Sequence, residues 1–171
     1  MLTFRRAEAC DLPDIMRVIR EAQAFMHTLN IDQWQDGYPE EAILRADIAM
    51  GQAYVIAAGQ DRIAAVAVLS MQPEPAYSNI NGAWRTQGSY LTIHRMAVDD
   101  MHRGAGAARE ILENALRLAR ENNLPALRVD THRGNIAMRR FLEKNGFVLC
   151  GEVSYAVQAG DPLRAAYDKL L

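Results

Sequence analysis

Two glycines stand immediately before the strongest helical pattern of the chain, in the stretch RGAGAAREILENALRLAR at residues 103–120. From Ala108 onward, apolar residues recur at intervals of three and four, which predicts one buried face of an amphipathic helix. Gly104 and Gly106 each cost roughly 1 kcal/mol relative to alanine inside a helix. The helix is therefore expected to begin near these glycines, directly after a strand that ends at Val98. Small residues at such a turn indicate that something approaches the backbone closely.

The start of a helix leaves its first backbone N–H groups without partners, and the helix dipole places about half a positive charge there. With small residues at 104–108, a phosphate could rest on these amides, and Arg103 could add a charge-assisted contact. A tight strand-to-helix turn without any ligand explains the same residues equally well. The dinucleotide fingerprint fits poorly because Arg109 occupies its third glycine position, and no Lys-Ser or Lys-Thr follows as in a Walker-type loop.

Composition narrows the class of protein. The length of 171 residues is typical of one domain, and we expect residues 1–171 to form a single domain. With 50% apolar and 23% charged residues, the chain has the profile of a soluble globular protein. The net charge of −2 gives no electrostatic reason to expect nucleic acid or an anionic membrane as a partner.

Targeting and metal signals are weak in this sequence. No apolar run approaches the ~20 residues of a membrane span, and the N-terminus lacks an apolar signal core with a cleavage site. Cys10 and Cys150 fit no metal or redox spacing. We therefore expect a cytoplasmic protein with reduced thiols and no bound metal.

Periodicity predicts strands and helices that alternate along the chain. Strands are expected at 2–7, 53–58, 62–71, 90–98 and 126–132, near 147–157 and at 163–170, with GQD at 59–61 as a hairpin turn. Helices are expected after Asp11, at 40–50, after the glycine turn and from Asn135 to about Asn145. Residues 30–41 and 72–89 are expected to be loops because they are rich in breakers. These elements predict a layered α/β fold.

Two motifs carry a resemblance to a known family. RGAGAA at 103–108, after a strand ending in MAV at 96–98, resembles the acyl-CoA-binding motif of the GNAT superfamily of N-acetyltransferases. That motif reads Gln or Arg, two residues, Gly, one residue, then Gly or Ala, and Arg103, Gly106 and Ala108 satisfy it in order. VDTHRGNIAMRRFLEKNGFVLCG at 129–151 resembles the second family motif, a strand, an asparagine and a helix that ends in Gly-Phe. The order of elements matches over nearly the whole chain. The resemblance implies a mixed, mostly antiparallel central sheet of about seven strands with helices on both faces.

The resemblance also implies acetyl-CoA as cofactor and a role for each matched position. Backbone groups of Met96 and Val98 would pair with the pantetheine arm like an added strand, and an amide near Ala97 would stabilise the oxyanion. The strands at 90–98 and 126–132 would splay apart, often with a bulge, to admit the thioester. The implied cofactor-binding residues are Met96, Ala97, Val98, Arg103, Gly104, Ala105, Gly106, Ala107, Ala108, Asn135 and Met138.

Acetyl transfer to an amine needs a base, because an amine of pKa ~10.4 is neutral in roughly one molecule in 2,500 at pH 7. Asp130 occupies a position where protein N-terminal acetyltransferases of this family often have a catalytic glutamate. Strand alternation places His132 on the same face, and His94 lies on the neighbouring strand, so all three are predicted to converge in one cleft. We expect Asp130 to be the base or an amine-binding carboxylate, with His94 next. An ion pair of Asp130 with Arg128 or Arg95 is an equally good structural explanation.

One position departs from the family pattern. Many GNAT enzymes carry a tyrosine just before the Glu-Lys-x-Gly-Phe segment, where it protonates the departing thiolate, but this chain has Leu142 there. Tyr155 or Tyr90 could replace it, and a thiol of pKa ~8.5 is a tolerable leaving group without a donor. Leu142 also suggests an alternative, a protein that binds acyl-CoA without turnover.

Loop aromatics are candidates for the acceptor pocket, although such residues cover a core at least as often. Trp34, Tyr38, Trp84 and Tyr90 form this set, and aromatics beside acidic residues suit a cationic amine. The predicted function is transfer of an acetyl group from acetyl-CoA to a primary amine, either a small amine or a peptide α-amine, by direct attack with general-base assistance. The alternative is a catalytically silent acyl-CoA sensor. A homodimer is compatible with the family resemblance.

Overall fold

Eight strands and four α-helices make up the computed structural model, which describes residues 2–59, 62–156 and 160–171. The strands are β1 (Leu2–Arg6), β2 (Ala53–Ala58), β3 (Ile63–Ser70), β4 (Asn81–Gly82), β5 (Leu91–Val98), β6 (Ala126–His132), β7 (Val148–Ser154) and β8 (Leu163–Leu170). The helices are α1 (Leu12–Thr28), α2 (Glu41–Ala49), α3 (Ala107–Glu121) and α4 (Ile136–Lys144). In the described part of the chain, no helix combines the length and hydropathy of a bilayer-crossing segment.

The strands form one sheet in the order β1-β2-β3-β5-β6-β8-β7-β4. Neighbouring strands are antiparallel except for β5 and β6, which are parallel. The last strand, β8, lies between β6 and β7, so the sheet continues beyond β6 without a break. The predicted mixed, mostly antiparallel sheet is therefore confirmed.

The helices cover both faces of this sheet, as predicted. Strand β2 alternates between the two faces: Tyr54 and Ile56 belong to the core under α3, whereas Val55 belongs to the core under α1. On α3 the buried positions include Ile111, Leu112, Ala115 and Ala119, the apolar face that the sequence periodicity predicts. Full burial of a side chain as large as Ile111 or Leu112 contributes about 1.5–3 kcal/mol to folding, which is why a sheet with two apolar faces holds helices on both.

The observed sheet has one strand more than the predicted number. Strand β4 pairs Asn81 with Glu152 and Gly82 with Gly151, inside the segment 72–89 that the sequence predicts to be a loop. A Cβ atom on Gly82 would lie 2.2 Å from the carbonyl oxygen of Cys150, so glycine is required for this close pairing. Two residues carry no alternation pattern, and the sequence therefore could not reveal this strand.

Two sequence predictions reach beyond the described residues. Strands β2 and β3 pair in antiparallel fashion as expected, but Gln60 and Asp61 of the predicted GQD turn lie outside the described residues. The predicted strand near 147–157 is observed as Val148–Ser154, and Val157 also lies outside them.

Candidate active site

The site lies where strands β5 and β6 separate. These strands pair at Leu91–Leu127 and Thr92–Arg128 and then diverge, which leaves the β6-facing edge of residues 93–98 without a strand partner in the described chain. The gap opens into a cleft of about 490 Å³. An unpaired strand edge inside a cleft can accept an extended ligand as an additional strand. The predicted splay of the two strands is confirmed.

A β-bulge in β5 shapes one wall of the cleft. Val66 of β3 faces Ala97 and Val68 faces His94, so two residues of β5 oppose one residue of β3 between these pairs. Within the bulge, Arg95 has a φ of 51°, in the left-handed region that non-glycine residues adopt at a cost of about 1 kcal/mol or more. The bulge changes the alternation of side chains, and His94, Arg95 and Met96 consequently all line the cleft.

Most of the predicted cofactor-binding residues surround this cleft. Those that line it are Met96, Ala97, Val98, Arg103, Ala108, Asn135 and Met138. The four residues from Gly104 to Ala107 are not among the lining residues, but Arg103 and Ala108 on either side of them are. The glycine turn is thus placed at one end of the cleft, at the start of α3.

The geometry of the turn fits an anion. Gly106 is the N-cap of α3 with a φ of 93°, and Gly104 has a φ of 77°, both left-handed conformations that favour glycine. A Cβ atom built on either glycine would meet nothing within 4 Å, so the outer side of the turn is open. One predicted amide is already used, because the N–H of Ala105 donates to the carbonyl of His102 at 3.0 Å. The prediction that Ala105 contributes its amide is therefore wrong, and the amides of Gly104, Gly106 and the first helical residues remain.

A buried carboxylate holds the segment before the turn. Asp99 is fully buried and accepts hydrogen bonds from the backbone N–H of His102 at 2.9 Å and from Nε of Arg62 at 3.0 Å. Burial alone would raise the pKa of Asp99, but hydrogen bonds from His102 and Arg62 outweigh it and hold that pKa below its ordinary value. Just beyond, Arg103 pairs with Asp100 at 2.5 Å and its guanidinium lies 3.9 Å from the ring centre of Phe25. These contacts fix the entry of the chain into the glycine turn.

Asn135 caps α4 at the opposite wall of the cleft. Its Oδ1 accepts a hydrogen bond from the backbone N–H of Met138 at 3.1 Å, as expected of an N-cap asparagine. The Nδ2 group has no hydrogen-bond partner among the described residues, and Asn135 is one of the residues that line the cleft. The side chain can therefore serve the helix and a ligand at the same time.

Asp130 of β6 is the central polar residue of the cleft. It is half-buried, and its Oδ2 accepts hydrogen bonds from the hydroxyls of Tyr77 and Tyr155, each at 2.8 Å. Its Oδ1 has no partner among the described residues. Burial raises the pKa of Asp130, and the two tyrosine hydrogen bonds oppose this effect without cancelling it. The result is a carboxylate of increased basicity with one oxygen fixed and one free.

The structural explanation for Asp130, an ion pair with Arg128 or Arg95, is not what the structure shows. Arg128 donates to the carbonyl of Thr86 at 2.8 Å, and Arg95 pairs with Asp47 at 3.2 Å. Both arginines are thereby committed to other partners.

His94 also lines the cleft, next to a carboxylate that the sequence did not single out. Its Nε2 lies 3.4 Å from Oε2 of Glu74, which caps the short helical turn Pro75–Asn79. Burial, with a smaller contribution from the charge of Arg95, lowers the pKa of His94 to about 4. The imidazole is therefore neutral at pH 7 and a weaker base than an ordinary histidine.

His132 does not join the other two candidates, and the prediction that all three converge is wrong for it. The ring lies outside the residues that line the cleft: Nδ1 accepts from the N–H of Gly134 at 3.0 Å, and Nε2 lies 2.9 Å from Oδ1 of Asp32. Strand β6 ends at His132, so the simple alternation of faces no longer applies where the chain turns. Its imidazole therefore lies beside Asp32 and not in the cleft.

The predicted acceptor-pocket aromatics divide into two pairs. Trp34 and Tyr38 line the cleft as predicted. Trp84 and Tyr90 do not, because the guanidinium of Arg128 packs between them, 4.3 Å from the ring centre of Trp84 and 4.0 Å from that of Tyr90. These cation–π contacts belong to a buried cluster, so the prediction was wrong for this pair.

Leu142 and the two tyrosines that the sequence offered as alternative proton donors lie in different parts of the structure. Leu142 is 1% exposed within the core under α3, so no proton donor occupies its position. Tyr155, which the sequence offered as one replacement, lines the cleft, whereas Tyr90 is buried away from it. Tyr77 was not predicted at all, since no local pattern links it to a residue of β6.

Residues 17–147 match the family model described as Acetyltransferase (GNAT) family. A solved GNAT-family acetyltransferase from Streptococcus agalactiae is 33% identical to the chain, with a TM-score of 0.88 over 99% of this chain and 95% of that one. No curated protein is significantly similar in sequence.

Two further solved structures share the fold at lower identity. A GNAT-family acetyltransferase from Listeria monocytogenes is 17% identical, with a TM-score of 0.75 over 99% of this chain and 95% of that one. The PaiA N-acetyltransferase from Thermoplasma acidophilum, in complex with coenzyme A, is 15% identical, with a TM-score of 0.74 over 100% of this chain and 99% of that one.

Proposed function

The chain belongs to the GNAT family of acetyltransferases, whose acyl donor is acetyl-CoA, and on this basis we propose that it acetylates a primary amine by direct attack, with Asp130 as general base. The observation that carries this proposal is the Asp130 carboxylate in the cleft, with one oxygen held by two tyrosine hydroxyls at 2.8 Å and the other free. The acceptor is a small amine or a peptide α-amine.

The residues of the cleft are suited to hold acetyl-CoA. The open outer side of the glycine turn and the positive end of α3 would bind the diphosphate, with Arg103 adding charge at the rim. The unpaired edge of residues 93–98 would hydrogen-bond the pantetheine arm, and Nδ2 of Asn135 would donate to it. When bound, acetyl-CoA supplies the thioester carbonyl that the amine attacks. A backbone amide near Ala97 would stabilise the negative charge that develops on the carbonyl oxygen.

The surroundings of Asp130 and His94 change the basicity of the two side chains in opposite directions. The amine must lose a proton, and a base works best when its pKa approaches the working pH. Burial raises the pKa of Asp130, whereas burial lowers that of His94 to about 4. The two environments thus favour the carboxylate, and the neutral His94 is left as a hydrogen-bonding neighbour of Glu74. Glu74 and Asp130 together give this part of the cleft a negative character that attracts a protonated amine.

A second candidate function follows from Leu142. Leu142 is buried in the core and cannot donate a proton at the position where many GNAT enzymes have a tyrosine. Such a site would suit a protein that binds acyl-CoA without turnover. Release of free CoA thiol from acetyl-CoA, measured with a panel of small amines and of peptides with free α-amines, separates the two functions. We expect thiol release that depends on the amine, together with an acetyl-CoA-dependent increase in Tm. An increase in Tm without turnover on any amine would establish the sensor instead.

A further inference from the structure

The core position of Leu142 raises the question of which group protonates the CoA thiolate. Among the described residues that line the cleft, the hydroxyl-bearing ones are Tyr38, Thr131 and Tyr155. Tyr38 has its ring under the guanidinium of Arg95, at 5.4 Å from the ring centre. Tyr155 differs from Tyr38 and Thr131 because its hydroxyl donates a hydrogen bond to the proposed base, at 2.8 Å from Oδ2 of Asp130. A donor in contact with the base can recover its proton within the site.

Resting on the proposed acetyltransferase function, we propose that Tyr155 is the general acid, and that Asp130 and Tyr155 act as one proton-transfer pair. The pair replaces the missing donor at Leu142 with a tyrosine from the end of the β7 strand. In this pair, Asp130 passes the proton that it takes from the amine to Tyr155, and Tyr155 supplies the proton of the thiol.

The protons and bonds of this pathway balance. The ammonium group of the substrate first releases one proton to solvent. Asp130 then takes a second proton from the amine at Oδ1 while the amine nitrogen bonds to the acetyl carbon. The carbon–sulfur bond then breaks, and the hydroxyl of Tyr155 gives its proton to the departing thiolate. A half-turn of the Asp130 carboxyl about its Cβ–Cγ bond, a torsion with two nearly equivalent orientations, brings the captured proton to the phenolate. Amide and free thiol leave, and carboxylate and phenol are restored.

Electrostatics favours this order of events. The pKa of Tyr155 is raised, first by burial and then by the negative charge of Asp130. Once Asp130 has taken the amine proton, its charge no longer raises the pKa of Tyr155, although burial still does, so Tyr155 is a stronger acid then than beside the ionised carboxylate. The other groups that act on Asp130 are the cation Arg164, the anion Glu74 and the hydroxyl of Tyr77, and the charge of Asp130 in turn raises the pKa of Tyr38. Of these, Arg164 lowers the pKa of Asp130 and Glu74 raises it.

Tyr77 provides a matched control for Tyr155. It donates to the same Oδ2 atom at the same distance of 2.8 Å. Unlike Tyr155, it is 2% exposed and does not line the cleft, since its ring packs against Trp84 and Tyr90. Tyr77 is therefore a positioning residue that can orient Asp130 but cannot reach the leaving group.

The test compares Y155F and Y77F by their pH profiles of kcat/KM for the amine and by kcat at saturating acetyl-CoA. Each variant removes one hydrogen bond to ionised Asp130, so both are expected to move the acidic limb of the profile to higher pH by a similar amount. Above that limb, Y77F should lose only a few-fold in kcat. Y155F should lose about 10- to 100-fold, because it also lacks the acid.

The outcomes separate this inference from the proposed function. Equal losses on the plateau for both variants, or full plateau activity in Y155F, would overturn the role of Tyr155 while the wild-type enzyme continues to turn over. Absence of turnover in the wild-type protein would overturn the proposed function, and this inference with it. Circular dichroism and acetyl-CoA binding of both variants show whether each is folded.

Discussion

The two ends of the cleft are built in different ways. In the proposed function, one end of the cleft holds acetyl-CoA and the other end carries out the acetyl transfer. The proposed cofactor end comes from short continuous stretches, mainly the β5 edge and the glycine turn at 103–108, in which backbone groups would do most of the binding. The catalytic end joins Asp130 to Tyr77 and Tyr155, which are 53 and 25 residues away along the chain, and uses side chains throughout. A backbone site depends on local conformation, whereas a side-chain site depends on the whole fold. Substitutions at the proposed cofactor end should therefore change the affinity for acetyl-CoA, whereas substitutions at the proposed catalytic end should change kcat.

The largest effect is expected at the catalytic end. Asp130→Asn keeps the shape of the side chain but removes the base, and kcat should fall by about 100-fold or more. The dissociation constant for acetyl-CoA should stay within about twofold, since Asp130 does not contact the glycine turn. Steady-state kinetics and calorimetry measure the two quantities. A parallel loss of turnover and cofactor affinity would show that the two ends are not separate.

The opposite pattern is expected at the cofactor end. Gly106→Val places a β-branched residue at a φ of 93° and covers the neighbouring amides, so acetyl-CoA should bind about 10-fold more weakly or worse. At saturating acetyl-CoA, kcat should change by only a few-fold.

Gly88→Val is the matched control for that substitution. Gly88 has a φ of 94° and the same open surroundings, but it does not line the cleft. The control should carry a similar backbone strain and leave acetyl-CoA affinity intact. If both valine variants bound acetyl-CoA equally well, the diphosphate site at the turn would be rejected.

The smallest effect is on stability. Because burial raises the pKa of Asp130, the folded protein holds this proton more tightly than the unfolded chain does. The resulting stabilisation is fully present below the pKa of the unfolded chain, about 4, and is lost as pH rises through the folded pKa. The Tm of the wild type relative to Asp130→Asn should therefore decrease by a few degrees between about pH 4 and pH 7. A difference in Tm that increases over this range would have the wrong sign.

The contrast between the two ends also explains what the sequence could predict. The glycine turn, the β5 strand and Asn135 were identified because each is a local pattern with its own physical consequence. The amide of Ala105 was the exception, since its use by the carbonyl of His102 depends on the conformation of the turn itself.

At the proposed catalytic end, the sequence predicted that Asp130 and His94 lie in the cleft but did not predict their hydrogen-bond partners. Asp130 was identified by its position, but the hydroxyl of Tyr77 comes from a connection that carries no periodic pattern. The alternation of faces along a strand could not place His132, because β6 ends at that residue. Trp84 was expected in the pocket, but its position over Arg128 is a cation–π contact that only the assembled sheet creates.

The most direct test of the account is a crystal structure of the protein with coenzyme A. We expect the diphosphate to lie on the amides of Gly104, Gly106 and the first residues of α3, and the pantetheine arm to follow the β5 edge. The sulfur should then lie about 3–4 Å from the hydroxyl of Tyr155. Coenzyme A bound outside the gap between β5 and β6, or a sulfur directed away from Asp130 and Tyr155, would contradict the account.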